Sequence, residues 1–173
     1  MDVLRPAAET EKSAFRPMLD AYLMEHAAVV DPDGRFDPLD FPTFDQYWTE
    51  PDRRAFWIMD GTQRAGLALV SDRYAPSGVA ADHGLVEFYV VPELRRGGLG
   101  RRAAVELFTA LPGWWELAVS HLTPVALAFW PAAIAAAGAM SLRTTSNQHD
   151  VIHRFRIGDR PPTTREAPAP ARP

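Results

Sequence analysis

Apolar residues along the first half of the chain recur first at helical and then at strand spacing. Phe15, Met18, Leu19 and Tyr22 stand at i, i+3, i+4 and i+7, which predicts a helix with one buried stripe. Thr10 is its expected cap, Glu11 lies in its first turn, and it should end between His26 and Val30. A short strand over residues 3–7 precedes it. Residues 31–44 hold four Asp, three Pro, one Gly and three Phe, the composition of a long loop with aromatic anchors. A helical turn around residues 45–49 follows. Residues 55–59 and 65–70 are apolar runs divided by Asp60-Gly61-Thr62-Gln63, a hairpin signal, and residues 85–91 form the next strand, closed by Pro92.

Past that proline the rhythm changes. Ala104, Leu107, Phe108 and Leu111 mark one face of a helix over residues 100–111, which Pro112-Gly113 stops. A strand over 114–119, a helix over 124–137 and a final strand pair, 142–145 with 151–157, complete the pattern, turned by Ser146-Asn147-Gln148. Val151, His153, Phe155 and Ile157 alternate with Ile152, Arg154 and Arg156, as in a half-exposed strand. Strands that first meander and later alternate with helices predict an α/β fold, a mixed sheet with helices on both faces.

Composition narrows the chemistry. The 173 residues suit one domain of ordinary apolar content, with about 70% of its surface buried on folding. There is no Cys, which removes disulfides, cysteine nucleophiles and thiolate metal sites. Lys12 is the one lysine, so Schiff-base chemistry is confined to it. A formal charge of −4 supplies no basic field for nucleic acid. Residues 160–173 are rich in Pro, Ala and Arg without a large apolar side chain and read as an extended tail, leaving residues 1–159 as the folded domain. The apolar window 124–140 is too short and too interrupted, by Pro131 and Gly138, to span a membrane, and the start lacks a secretory pattern, so a cytoplasmic protein is expected.

One segment is chemically distinctive. Between the strand at residues 85–91 and the helix from residue 100 lie Arg95, Arg96, Gly97, Gly98, Leu99 and Gly100, followed by Arg101 and Arg102. Glycines permit positive φ and close backbone approach, and a helix start offers unpaired N–H groups and a positive dipole end. The segment therefore suits a phosphate or pyrophosphate. A Walker loop is excluded because no Lys-Ser/Thr follows Gly100. A dinucleotide fingerprint, Gly98-x-Gly100-x-x-Ala103, comes after too much preceding structure and lacks its acidic partner, Glu116 lying too early.

Arg95-x-x-Gly98-x-Gly100, after a strand ending in Val-x-Pro, resembles the (Arg/Gln)-x-x-Gly-x-(Gly/Ala) signature of the GNAT acyltransferase superfamily. Ala126-x-x-Phe129-Trp130 resembles the pattern of that family's next helix, and the order of elements over residues 3–157 matches as well. The resemblance implies a GNAT fold, with a mixed, mostly antiparallel central sheet, and acetyl-CoA or another acyl-CoA as cosubstrate without a metal. It implies that the main chain of Phe88, Val90 and Val91 pairs with the pantetheine arm. The amides from Arg96 to Arg101 are implied to hold the pyrophosphate, while Arg95, Arg96, Arg101 and Arg102 are candidates for its oxygens or the 3′-phosphate. Ala126, Phe129 and Trp130 are implied to complete the cofactor groove.

The pattern departs from the family at Trp130, where members with a general acid usually carry Tyr; an indole N–H donates a hydrogen bond but is no acid at neutral pH. Thr123 replaces a frequent Asn and remains able to cap the helix, and Pro131 predicts a kink or a displaced helix start. Glu87 is the candidate general base, with a structural ion-pair role as the alternative, and Tyr89, on the same face, is wall or acid. His83, His121 and His153 are isolated and read as structural. Asp31-x-Asp33-Gly34 lacks the remaining ligands of a calcium loop. Trp48, Trp114 and Trp115 are expected in the core. The acceptor site is expected at the loop after the first helix and at the final strand turn, where Asp31, Asp33, Asp37, Phe41, Phe44, Tyr47 and Trp48 suit a cationic amine.

Two functions follow. One is an N-acyltransferase, moving an acetyl or other short acyl group from acyl-CoA to a small-molecule amine by direct attack, with no nucleic-acid or membrane partner, as a monomer or homodimer. The other is a domain that binds acyl-CoA as a sensor or scaffold with little catalysis.

Overall fold

The computed structural model describes residues 2–158, so the expected tail and the domain boundary at 159 lie outside the described residues. Strands β1 (Leu4–Pro6), β2 (Arg53–Asp60), β3 (Gln63–Ser71), β4 (His83–Val90), β5 (Gly113–Ser120), β6 (Met140–Ser146) and β7 (Asp150–Ile157) form one sheet in the order β1-β2-β3-β4-β5-β7-β6. Neighbours run antiparallel except β4 and β5, which are parallel. A parallel pair needs a crossover, and α3 (Leu99–Ala110) supplies it.

Helices cover both faces, as the pattern predicts. On one face α3 and α4 (Pro124–Ala136) bury Leu107, Phe108, Trp130 and Ile134 against Val70, Leu85, Trp115, Leu117 and Phe155. On the other, α1 (Lys12–Val30) inserts Phe15 and Leu19 beside Trp57, Leu67 and Leu69, and α2 (Gln46–Thr49) adds Tyr47. Trp57, Trp115, Phe15, Phe108 and Phe155 are the largest fully buried side chains. Burial of this kind contributes about 1.5–3 kcal/mol per large side chain before its ordering entropy is subtracted. No described helix is long and apolar enough to cross a membrane.

Several local expectations change. Thr10 does not cap α1: residues Glu9–Glu11 form a 3-10 turn, and the Glu11 carboxylate folds back to accept the Ala8 N–H at 3.0 Å. Thr123 precedes α4, but its hydroxyl donates to the Ser120 carbonyl at 2.8 Å and accepts no N–H from the helix. Pro131 lies inside an α4 that starts at Pro124, without displacement; surrounding alanines and the buried Ala133 and Ile134 sustain the helix past it. Ile152 is buried although it alternates with the inward-facing residues, and it is flanked in the sheet by Ala118 of β5 and Thr145 of β6.

The segment between β3 and β4 is pinned across the far strands by Glu116, which has no exposed surface. The Glu116 carboxylate accepts Ser77 N–H at 3.1 Å, Ser77 Oγ at 2.6 Å and Arg154 Nη1 at 2.6 Å. Arg154 also donates to the carbonyls of Val79 and Ala80. A buried carboxylate persists only when paired and hydrogen-bonded in this way.

Candidate active site

The site begins where the sheet opens. β4 and β5 pair at His83–Leu85 with Trp115–Leu117, and the described ladder between them ends there. The antiparallel β3–β4 ladder shifts register between Leu69 and Val70, where Leu69 faces Glu87 and Val70 faces Leu85, so Val86 is an extra residue. Such a bulge bends a strand and re-aims its side chains. Val86 accordingly packs on the α1 side, the side on which Glu87 meets Tyr22. Beyond the bulge, Val91 N–H donates to the Ala65 carbonyl. Alternation then turns the N–H and C=O of Phe88 and Val90 toward the open edge. Of the three residues expected to pair with pantetheine, Val91 has its N–H engaged by β3, while Phe88 and Val90 face the gap.

A cavity of about 140 Å³ occupies that gap. Residues 85–88 of β4 and 117–120 of β5 form its sides, Ala126 and Trp130 close it from α4, and Tyr22 and His26 close it from α1. Phe88 packs against Phe129 and Trp130, with ring centroids 6.1 and 5.1 Å away. The α4 side is therefore apolar, while Tyr22, His26, Ser120 and Thr123 bring polar atoms to the rest of the lining. Glu87 brings the carboxyl, and burial pushes its pKa up to about 7 although the neighbouring Tyr22 hydroxyl works in the opposite direction. A group poised there accepts a proton readily near neutral pH. Burial also lowers the pKa of His26, against the field of Asp150, and raises that of Tyr89.

The glycine segment opens directly from β4. Arg96 (φ 66°) and Gly98 (φ 78°) are left-handed on either side of Gly97, and Gly98 is the N-cap of α3. Alternating handedness of this kind turns successive N–H groups into one concavity, a nest for anionic oxygens. No side chain caps α3, so its first N–H groups add to the same surface. Leu99 is buried beneath the loop with Val90 and Ala103, which fixes the helix start. Around a Cβ placed at Gly97 there is open space, and one placed at Gly100 would meet Val90 and Phe129 at 3.5 and 3.6 Å. The donors, the bare backbone and the open edge of β4 fit a pyrophosphate followed by an extended amide-bearing arm.

Arg95 has a different position from the one the signature suggests. Its Nε donates to the Val90 carbonyl at 2.7 Å, and its two Nη atoms hold the Glu25 carboxylate of α1 at 2.7 and 2.8 Å. The guanidinium carbon also lies 5.2 Å from the Tyr89 ring centroid. Pairing with Arg95 keeps the Glu25 carboxyl below its ordinary range. Arg96, Arg101 and Arg102 stay exposed beside the nest, with Arg102 Nη1 donating to the Gly97 carbonyl at 3.3 Å.

The acceptor residues expected in the loop after α1 do not gather at the cavity. Phe41, Phe44, Tyr47 and Trp48 pack into the core around Phe15 and Trp57, where aromatic burial outweighs exposure to a ligand. Asp31 accepts the Phe36 N–H, Asp33 pairs with Arg35, and Asp37 accepts the Leu39 N–H, so these carboxylates serve local turns. The three histidines are structural: His83 meets Asp72, His153 meets Thr144, and His121 meets Ser146 and the Asn147 carbonyl. Trp115 is core, as expected. Sequence reasoning missed Tyr22 and His26 as cavity walls. Their signal was present as polar-edged rings at i and i+4, just where the α1 stripe stops being aliphatic.

No family model and no curated protein matches the chain. Solved structures do. An acetyltransferase from Thermus thermophilus aligns over 91% of this chain and 100% of its own, at 19% identity and TM-score 0.62. The PaiA N-acetyltransferase from Thermoplasma acidophilum, solved in complex with coenzyme A, aligns over 89% and 98%, at 9% identity and TM-score 0.60. A GNAT-family acetyltransferase from Bacillus cereus ATCC 10987 aligns over 90% and 97%, at 11% identity and TM-score 0.57. The fold is that of the GNAT acetyltransferases.

Proposed function

We propose that the protein is an N-acyltransferase that moves an acetyl or similarly short acyl group from acyl-CoA to the primary amine of a small molecule. The observation that carries this reading is the continuity of three features: the open edge at Phe88 and Val90, the nest at residues 96–101, and a carboxyl near neutral pKa at the same gap. Coenzyme A supplies an activated thioester with a tolerable leaving group. Phe88 and Val90 offer it backbone donors, which stabilise a developing oxyanion. Glu87 takes the proton from the incoming ammonium, after which the free nitrogen forms the C–N bond as the C–S bond breaks. The second proton leaves nitrogen for the departing sulfur, and Glu87 returns its own to water. Trp130 and Phe88 wall the gap closely, which suits a short acyl chain.

Acetyl-CoA is expected to raise the Tm, and Gly98→Glu, which places a side chain and a negative charge at a left-handed position in the nest, is expected to abolish the rise. Thiol release with benzylamine, tyramine and spermidine as probe amines then tests turnover. Trp130, standing where a Tyr acid is usual in the resembled pattern, favours a second reading, a sensor that binds acyl-CoA without turnover. A Tm rise with no thiol release would select it, and no response to any acyl-CoA would sink both readings.

A further inference from the structure

We propose that Glu25 is a positioning residue for acyl-CoA: from α1 it holds the Arg95 guanidinium against the outward carbonyl of Val90, and this strut fixes where the nest at residues 96–101 begins. The inference rests on the acyl-CoA reading above.

The near end of the nest needs an anchor. Its far end is secured by buried Leu99 and by Gly98, which takes the left-handed turn into α3 without a side-chain penalty. Arg96 lacks that ease: at φ 66° it is a non-glycine residue in the left-handed region, a conformation that persists only where the surroundings impose it. The residue just before it is Arg95, which leaves the 3-10 turn Pro92–Leu94 with extended backbone, φ −73° and ψ 164°. Its side chain runs back to the strand that the turn has just left, and its Nε donates to the Val90 carbonyl at 2.7 Å. The turn is thereby closed on the strand.

Glu25 sets the direction of that bond. Its two carboxylate oxygens accept Nη1 and Nη2 at 2.7 and 2.8 Å, and the guanidinium carbon lies 5.2 Å from the Tyr89 ring centroid. A planar fork gripped by both oxygens and backed by a ring presents its Nε in one direction. The Val90 carbonyl keeps a second lone pair for an N–H of the cofactor arm, so strut and arm do not compete. Phosphate charge is then left to Arg96, Arg101 and Arg102, which stay exposed. Glu25 also belongs to the cavity wall's own helix: Tyr22 and His26 flank it in α1 and line the gap, whereas the helix's buried side chains, Phe15 and Leu19, lie in its first half. The ion pair thus ties the second half of α1 to the start of the nest.

The test measures acetyl-CoA affinity by calorimetry on the full chain, as wild type, Glu25→Gln, Arg95→Gln, the double variant and Arg95→Lys, at a temperature where melts show each to be folded. The Glu25 and Arg95 side chains are 45% and 38% exposed, so these variants are expected to fold. A pair so exposed contributes modestly: Glu25→Gln should raise the Kd about three- to fivefold, Arg95→Gln about tenfold, and the double variant no more than Arg95→Gln alone. Arg95→Lys should lose as much as Arg95→Gln, since an ammonium keeps the charge but not the fork. A merely structural ion pair would lower the Tm and leave the Kd of the folded protein unmoved, and that result overturns the inference. Tighter binding by Glu25→Gln overturns it too, because Arg95 would then be a phosphate ligand held back by Glu25. So does a loss from Glu25→Gln that persists in the Arg95→Gln background, or wild-type affinity in Arg95→Lys. A wild type that binds no acyl-CoA removes the acyl-CoA reading and this inference with it, whereas wild-type binding with unmoved variants removes the inference alone.

Discussion

Replacing Glu87 with Gln is expected to stabilise the fold above neutral pH while removing turnover. The carboxyl is displaced from its ordinary 4.5 to about 7 by burial. At roughly 1.4 kcal/mol per pH unit, this corresponds to about 3 kcal/mol of differential interaction between its two forms. Because the folded value lies above the unfolded one, the stability linked to Glu87 is fully present below 4.5 and is lost as the pH rises through 7. Glutamine mimics the protonated form at every pH. The Tm of Glu87→Gln should therefore match wild type near the acid end and exceed it at about pH 8, by roughly 6–12 °C for a chain of this size. Circular dichroism melts of both proteins across this range give the difference directly, since most other titrations cancel between them. A difference that does not change with pH, or one that favours wild type in alkali, would show that the carboxylate is not desolvated and would remove the basis for its role as base.

Two other substitutions test the frame around the site. Arg96 is a non-glycine residue at φ 66°, so Arg96→Gly should stabilise by about 1 kcal/mol in urea titrations; no gain would mean that the loop relaxes around Arg96. Glu116→Ala leaves Arg154 without its buried partner and frees Ser77, so unfolding stability should fall by about 3–5 kcal/mol, and a loss below about 1 kcal/mol would show that water replaces the carboxylate.

The order of elements was legible because each carried a strong local period or stop, such as Phe15 to Tyr22 on α1 and Asp60-Gly61 in the β2–β3 hairpin. The nest was legible for the same reason: glycines between a strand and a helix leave few alternatives. Pairings between distant residues were not. Nothing local to Arg95 announces Glu25, seventy residues earlier, so a guanidinium beside glycines reads as a phosphate ligand until α1 is seen alongside it. The aromatics of residues 41–48 misled in the opposite sense. Beside aspartates they resemble a binding surface, yet the space beneath α1 needs their volume. The bulge at Val86 was also invisible, because an extra strand residue leaves the alternation of Leu85 to Val91 readable in either register.

The short parallel contact between β4 and β5 also bears on how the molecule comes apart. Main-chain bonds join β1–β4 to β5–β7 over only a few residues, so cohesion between the two half-sheets falls to the packing of α3 and α4 on one face and to Glu116 on the other. Subglobal opening, with one half-sheet exchanging its amides while the other stays protected, is the natural low-energy excursion of such a design. A ligand lying along the open edge would bond to one half and pack against the other, and would merge two cooperative units into one.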